Sequence, residues 1–247
     1  MTRLAFFLYG VISYAIFFVS FLYLIAFVGN FEIAAFVPKT IDSAAPGPLG
    51  AAVMVNLGIL VLFGVQHTVM ARPGFKVAWT RIVPKPIERA TFVNVTTVIL
   101  VLLFWQWRPM TGIVWHVENA VGRNVLIGIS FGGYLLVLYA SFLIDHFDLF
   151  GLRQVFTYLL GKEYKHPPFA TPWLYRIIRH PLLLGWMIAF WATPTMTYGH
   201  FLFAVTTTAY MLIAIPFEER NLEGFLGEAY RQYRARTPKL LPWPRKA

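Results

Sequence analysis

The sequence predicts an all-α, multi-pass transmembrane bundle of about six spans, the last two a short hairpin, with a C-terminal cytoplasmic helix packed against it. Three observations lead there. Apolar residues make up 58% of the 247 residues and charged ones only 13%, about half the charged share of a soluble protein. The apolar residues run in blocks long enough for a helix to cross a hydrocarbon core of about 30 Å. Basic residues, finally, gather on alternate connections between those blocks.

The blocks read in order as follows. Leu4–Val28, Leu49–Met70, Ala90–Trp107 and Val121–Ile144 each approach the roughly 20 residues that a spanning helix needs. Leu182–Tyr198 and His200–Pro216 are shorter and separated by Gly199, which reads as a tight helical hairpin. A polar helix over Glu218–Arg236 should follow, then a Pro-rich end with Pro238, Pro242 and Pro244. Nothing alternates apolar and polar residues in segments of about ten, so a β-barrel is excluded. The first block exceeds a typical signal-peptide core and is read as an uncleaved span. The chain thus divides into a four-span bundle, 1–144, and a core over 145–247, within a single membrane domain.

With a cytoplasmic N-terminus, 18 of the 21 Lys and Arg residues fall on the inner side. They leave Lys39, Arg108 and Arg123 outside, a strong positive-inside bias that puts both termini in the cytoplasm and the protein in the cell membrane. The net charge of +10 therefore points to the lipid bilayer as partner, not to nucleic acid. Cysteine is absent, which excludes disulfides, thiolate metal sites and a cysteine nucleophile. There is no His-x-x-x-His or Glu-x-x-His spacing, so no metal site is expected. Gly-rich phosphate loops and nucleophile elbows are missing as well.

Ionisable groups nevertheless converge at one depth, where they cost free energy and tend to mark function. Gln66 and His67 end the second block, followed by Arg72. Asp145, His146 and Asp148 end the fourth, followed by Arg153 and Gln154. Arg179, His180 and Pro181 precede the hairpin, and Glu218 and Glu219 follow it. His146, assisted by Asp145 or Asp148, is the first candidate for a general base, and His67 the second.

The run Arg179-His180-Pro181-Leu182-Leu183-Leu184-Gly185-Trp186 resembles the Arg-His-Pro-x-x-x-Gly segment of isoprenylcysteine carboxyl methyltransferases and their bacterial relatives. Glu218-Glu219, Gly227-Glu228-Ala229-Tyr230, Tyr233 and Pro238 follow in the same order. The resemblance covers about a third of the chain and implies a membrane-edge pocket for S-adenosylmethionine, completed by the C-terminal helix. It further implies a cofactor-contacting set of Gln154, His166, Phe169, Tyr175, Arg179, His180, Pro181, Leu183, Glu218 and Glu219. Within that set Glu218 would hold an ammonium or a ribose hydroxyl, and His180 the cofactor carboxylate.

In the prenylcysteine enzymes an Arg four residues before the Glu218 position engages the substrate carboxylate. Ala214 stands there in this chain, which argues against carboxyl methylation of a prenylated protein. Gly64–Pro73 together with Asp145–Gln154 instead resembles the bacterial methanethiol S-methyltransferases, over nearly the whole chain. That implies a small volatile thiol as methyl acceptor, converted to a sulfide. A membrane methyltransferase for a lipid or larger thiol, and an NADPH-dependent membrane reductase, stay open as alternatives.

Overall fold

The computed structural model describes residues 1–33 and 35–242; Pro244 of the Pro-rich end lies outside them. Four long helices come first: α1 (Thr2–Val28), α2 (Leu49–Met70), α4 (Lys85–Gln106) and α5 (Ala120–Ile144), with a short α3 (Pro73–Trp79) between α2 and α4. A strand, β1 (Ile113–His116), precedes α5. Short helices follow α5: α6 (His146–Leu149), α7 (Leu152–Leu159) and α8 (Leu174–Ile177). The chain ends with α9 (Pro181–Trp191), β2 (Thr195–Thr197), α10 (Tyr198–Leu226) and α11 (Glu228–Arg236). Five helices, α1, α2, α4, α5 and α10, are long and apolar enough to span a bilayer. The all-helical membrane bundle expected from the sequence is the fold.

The last two blocks take a form the hydropathy pattern does not reveal. α9 has eleven residues, about 16 Å of helix, too short to cross alone. The extended chain that follows carries it on to β2, which pairs antiparallel with β1. The last block does not stop at Pro216. α10 runs through that proline to Leu226, a substitution of ring for N–H that membrane helices tolerate when neighbours compensate. The polar helix expected over Glu218–Arg236 is therefore two pieces, and the break is at Gly227, whose φ of 60° needs the freedom of glycine. Glu218 and Glu219 thus lie on the long helix, two turns before its end.

Local chemistry fixes the other boundaries. Pro73 and Pro181 open α3 and α9 at the first helical position, where the missing N–H costs nothing. The Asn119 and Thr197 side chains accept from Gly122 N and His200 N and cap α5 and α10. Asp145 ends α5 in a left-handed conformation (φ 93°), and its carboxylate caps α6 through Asp148 N at 3.0 Å. One core fills the β1–β2 end of the bundle around Phe27, Ile41, Leu103, Trp107, Phe190 and Phe203. There Trp107 Nε1 donates to Ile41 O at 3.0 Å. At the opposite, basic end the core thins out and polar side chains take over.

The closest helix contact joins α5 to α9. A Cβ on Gly133 would lie 2.6 Å from Ala189 N, and one on Gly185 would lie 2.8 Å from Gly133 O. Backbone cannot yield as a side chain tip does, and small residues are what let membrane helices approach so closely. Gly133→Ala is expected to cost about 1–3 kcal/mol, measured by thermal unfolding in detergent. Gly132→Ala is the control, since its Cβ would meet nothing within 4 Å. Equal losses from both would refute the close-contact account.

Candidate active site

Three polar groupings lie at the basic end, and the structure connects them differently from the sequence reading. The first centres on His146, which is buried. Both ring nitrogens are engaged: Nε2 lies 2.8 Å from the Tyr14 hydroxyl and Nδ1 2.8 Å from Ser141 Oγ. Phe142 stacks on the ring at 4.3 Å and Phe150 lies at 4.8 Å. Burial pulls its pKa below the ordinary histidine value, against the opposing pull of Asp145. Neither aspartate hydrogen-bonds to it. Asp145 caps α6 and pairs with Arg153. Asp148 accepts from the Tyr164 hydroxyl at 2.7 Å and from Gln154 Nε2 at 3.3 Å. The Asp–His pair expected from the sequence is replaced by hydroxyl partners on α1 and α5. Those residues sit inside apolar runs, and a polar residue in a span was the signal available for them.

The second grouping holds the C-terminal segment to the bundle. Arg179 Nε donates to Glu219 Oε1 at 2.7 Å, and the same oxygen lies 3.1 Å from His180 Nε2. Both side chains of the Arg179–Glu219 pair are almost fully buried. Arg179 Nη1 also donates to the carbonyls of Arg234, at 3.0 Å, and Thr237. Two backbone bonds, Arg179 N to Pro238 O and His180 N to Lys239 O, complete the tie. Glu218 behaves differently from its neighbour. Its side chain is 54% exposed, 3.7 Å from His180 Nδ1. Tyr175 is close enough that, after burial, the Glu218 charge is the next cause raising its phenol pKa. Tyr233 donates to Tyr175 O at 2.6 Å, and burial pushes its own pKa up to about 12. Phe169 packs its ring 5.6 Å from Tyr233. Pro181 is buried in the first turn of α9, and Leu183 packs against the main core.

The third grouping lies between the second span and the start of the third. His67 sits between Phe63, at 5.6 Å, and Phe92, at 5.0 Å. Its Nδ1 is buried and has no hydrogen-bond partner among the described residues. The Arg89 guanidinium covers another part of the Phe92 ring at 4.9 Å. Arg89 also lines a cleft of about 420 Å³ with Lys76, Asp148, Gln154, Tyr164 and His166. His166 joins that cleft to α10, with Nδ1 3.1 Å from the Tyr164 hydroxyl and its ring 5.8 Å from Phe225. So Gln154 and His166 belong to the cleft, whereas Phe169, Tyr175, His180 and Glu218 belong to the α9–α10–α11 side. Residues 164–169 bridge the two. Arg89, Lys76 and Tyr164 had no motif to single them out, and in the sequence the two cations read only as inner-face charge.

A cluster of three or more metal-ligating side chains is absent among the described residues. The arrangement instead offers a histidine nitrogen beside aromatic rings, an exposed carboxylate and a polar cleft.

These features define a multi-pass helical membrane protein with clustered ionisable and aromatic side chains. Comparison with known proteins narrows the class. Methanethiol S-methyltransferase 2 of Bradyrhizobium diazoefficiens is 50% identical over 240 residues, covering 97% of this chain and 91% of that protein. The methanethiol S-methyltransferase of Mycobacterium tuberculosis is 49% identical over 246 residues, 100% of this chain and 99% of that protein. That of Crocosphaera subtropica is 44% identical over 236 residues, 96% and 91% of the two chains. No family model and no solved structure matches. The chain belongs to the methanethiol S-methyltransferase family.

Proposed function

We infer that this chain methylates methanethiol to dimethyl sulfide at the cytoplasmic face of the membrane, with S-adenosylmethionine as methyl donor. The observation that carries the reading is full-length kinship at 44–50% identity with proteins of that name. The side chains suit the donor. Its charge is accommodated by the exposed Glu218 carboxylate beside Tyr175, and the aromatic faces of Phe169 and Tyr233 suit a purine or a sulfonium. When bound, S-adenosylmethionine supplies an activated methyl group on a sulfonium centre.

The protein's own part is to bind, dry and deprotonate the thiol. Methanethiol partitions from the bilayer to the Phe63 and Phe92 rings that flank His67. A simple thiol is largely protonated at neutral pH, and its thiolate is the nucleophile. His67 Nδ1, buried and unpartnered, accepts the thiol proton. His146, with both nitrogens bonded to hydroxyls, holds α1 against α5 and α6 and positions Asp148 and the cleft. A larger thiol would have to displace Tyr210, which packs against the bare Cα of Gly64 and lies 6.2 Å from Phe63.

Purified protein given methanethiol and S-adenosylmethionine should release dimethyl sulfide, measured by headspace gas chromatography. Glu218→Ala is expected to weaken donor binding at least about tenfold, the scale of one charge-assisted hydrogen bond, without unfolding the protein. Absence of dimethyl sulfide from folded, donor-binding wild type would overturn the substrate; absence of donor binding would overturn the reaction class.

A further inference from the structure

The cleft between α3, α4 and the α6–α7 segment contains polar groups that lack a hydrogen bond: Glu88 Oε1, which lies 4.0 Å from Lys76 Nζ, and two sets that have no ion pair either. Arg89, on the first turns of α4, donates from Nε to Leu149 O at 2.7 Å. That is its one hydrogen bond to described residues, and it forms no ion pair among them. Its two Nη groups therefore remain as a planar pair of donors in the cleft wall, the geometry that matches a carboxylate through two parallel bonds. The second group is Gln154 Oε1, buried and without a donor, although Gln154 Nε2 is committed to Asp148 O at 3.1 Å. Asp148 adds a negative charge on the same wall. An unsatisfied buried acceptor is costly, and such groups in native structures call for a partner.

A fork of donors beside an orphan acceptor and a carboxylate complements a zwitterion. We propose that this cleft receives the α-amino acid head of the methyl donor, its carboxylate on Arg89 and its ammonium on Gln154 and Asp148. The proposal rests on S-adenosylmethionine being that donor. It departs from the sequence expectation that His180 meets the carboxylate. His180 lies 3.1 Å from Glu219 Oε1 and 3.7 Å from Glu218 Oε2, and two carboxylates repel a third. The electrostatic division is then consistent along the donor: the basic cleft takes the acidic head, and the Glu218 side takes the cationic or hydroxyl-bearing remainder. Tyr164 and His166 lie between, lining the cleft and touching Phe225. A phosphate would fit the guanidinium but would leave the Gln154 acceptor and Asp148 facing negative oxygen.

Calorimetric titration of the purified full-length protein with S-adenosylmethionine and with decarboxylated S-adenosylmethionine tests this directly. Wild type should bind the decarboxylated compound about 10- to 100-fold more weakly, the range for losing one or two charge-assisted bonds. Arg89→Gln should weaken S-adenosylmethionine by the same factor and leave the decarboxylated compound unchanged, which also certifies the fold. Gln154→Leu should weaken both compounds alike, since both keep the ammonium. A wild-type preference that survives Arg89→Gln places the carboxylate elsewhere and overturns the proposal. So does a loss of both compounds in Arg89→Gln while Arg89→Lys keeps the full wild-type ratio, which assigns the guanidinium a structural role. Failure of wild type to bind either compound overturns the donor reading, and the proposal with it.

Discussion

Glu219→Ala is expected to lower folding stability by about 3–5 kcal/mol, the scale for removing one partner of a buried ion pair. The residue is 1% exposed, and its carboxylate serves Arg179, His180 and, at 3.5 Å, Arg234. Removing it strands a guanidinium that has no route to water. The backbone bonds from Arg179 and His180 to Pro238 and Lys239 depend on that guanidinium staying in place. Loosening of the segment around α11 should therefore accompany the loss, visible as faster amide exchange in residues 228–239. A paired replacement, Arg179→Met with Glu219→Met, should recover part of the stability because no unpaired charge remains. Unfolding in detergent decides the matter: a loss under about 1 kcal/mol in the single variant would show that water reaches the arginine. Glu218→Ala, on the exposed neighbour, should change stability little and donor binding much. That contrast between the two variants would separate a structural role for Glu219 from a binding role for Glu218.

How much of this was legible beforehand follows from where the information resides. Long apolar blocks are a one-dimensional property, so α1, α2, α4 and α5 were visible within a few residues. The concentration of Lys and Arg on alternate connections is equally plain. The course of α10 was not, because Pro216 usually ends a helix and the polar residues after it look like a separate tail. Gly227 makes the true break, and in the sequence it stands out only as part of a motif. The strand pair β1–β2 was missed because three- and four-residue strands leave no periodicity to read. At the site, charged residues draw attention by their cost in a membrane. Pairing among them was beyond the sequence. Adjacent letters suggest that Asp145 or Asp148 assists His146, whereas the left-handed turn at Asp145 sends its carboxylate to α6 and Arg153. Tyr14, more than a hundred residues away, takes that role through α1. Arg89 was hidden by an adequate bland reading, since one more cation on a basic loop asks for no explanation until its neighbours are known.

His67→Ala is expected to reduce kcat for methanethiol methylation by about 10²–10⁴-fold at neutral pH, the contribution usual for a positioned general base. The geometry separates it from His146. A base needs an uncommitted lone pair, and the described residues leave the buried Nδ1 of His67 unpartnered while both nitrogens of His146 face hydroxyls. His146→Ala should consequently lose stability, through two hydrogen bonds and a stacked ring, yet lower kcat in the folded fraction less than tenfold. Raising the pH sharpens the contrast. As the medium approaches the thiol's own pKa, thiolate forms without help, so the His67→Ala defect should shrink with pH while donor affinity stays constant. A defect of constant size across pH would mean that His67 shapes the pocket and does not take the proton. A larger kcat loss from His146→Ala than from His67→Ala would reverse the assignment.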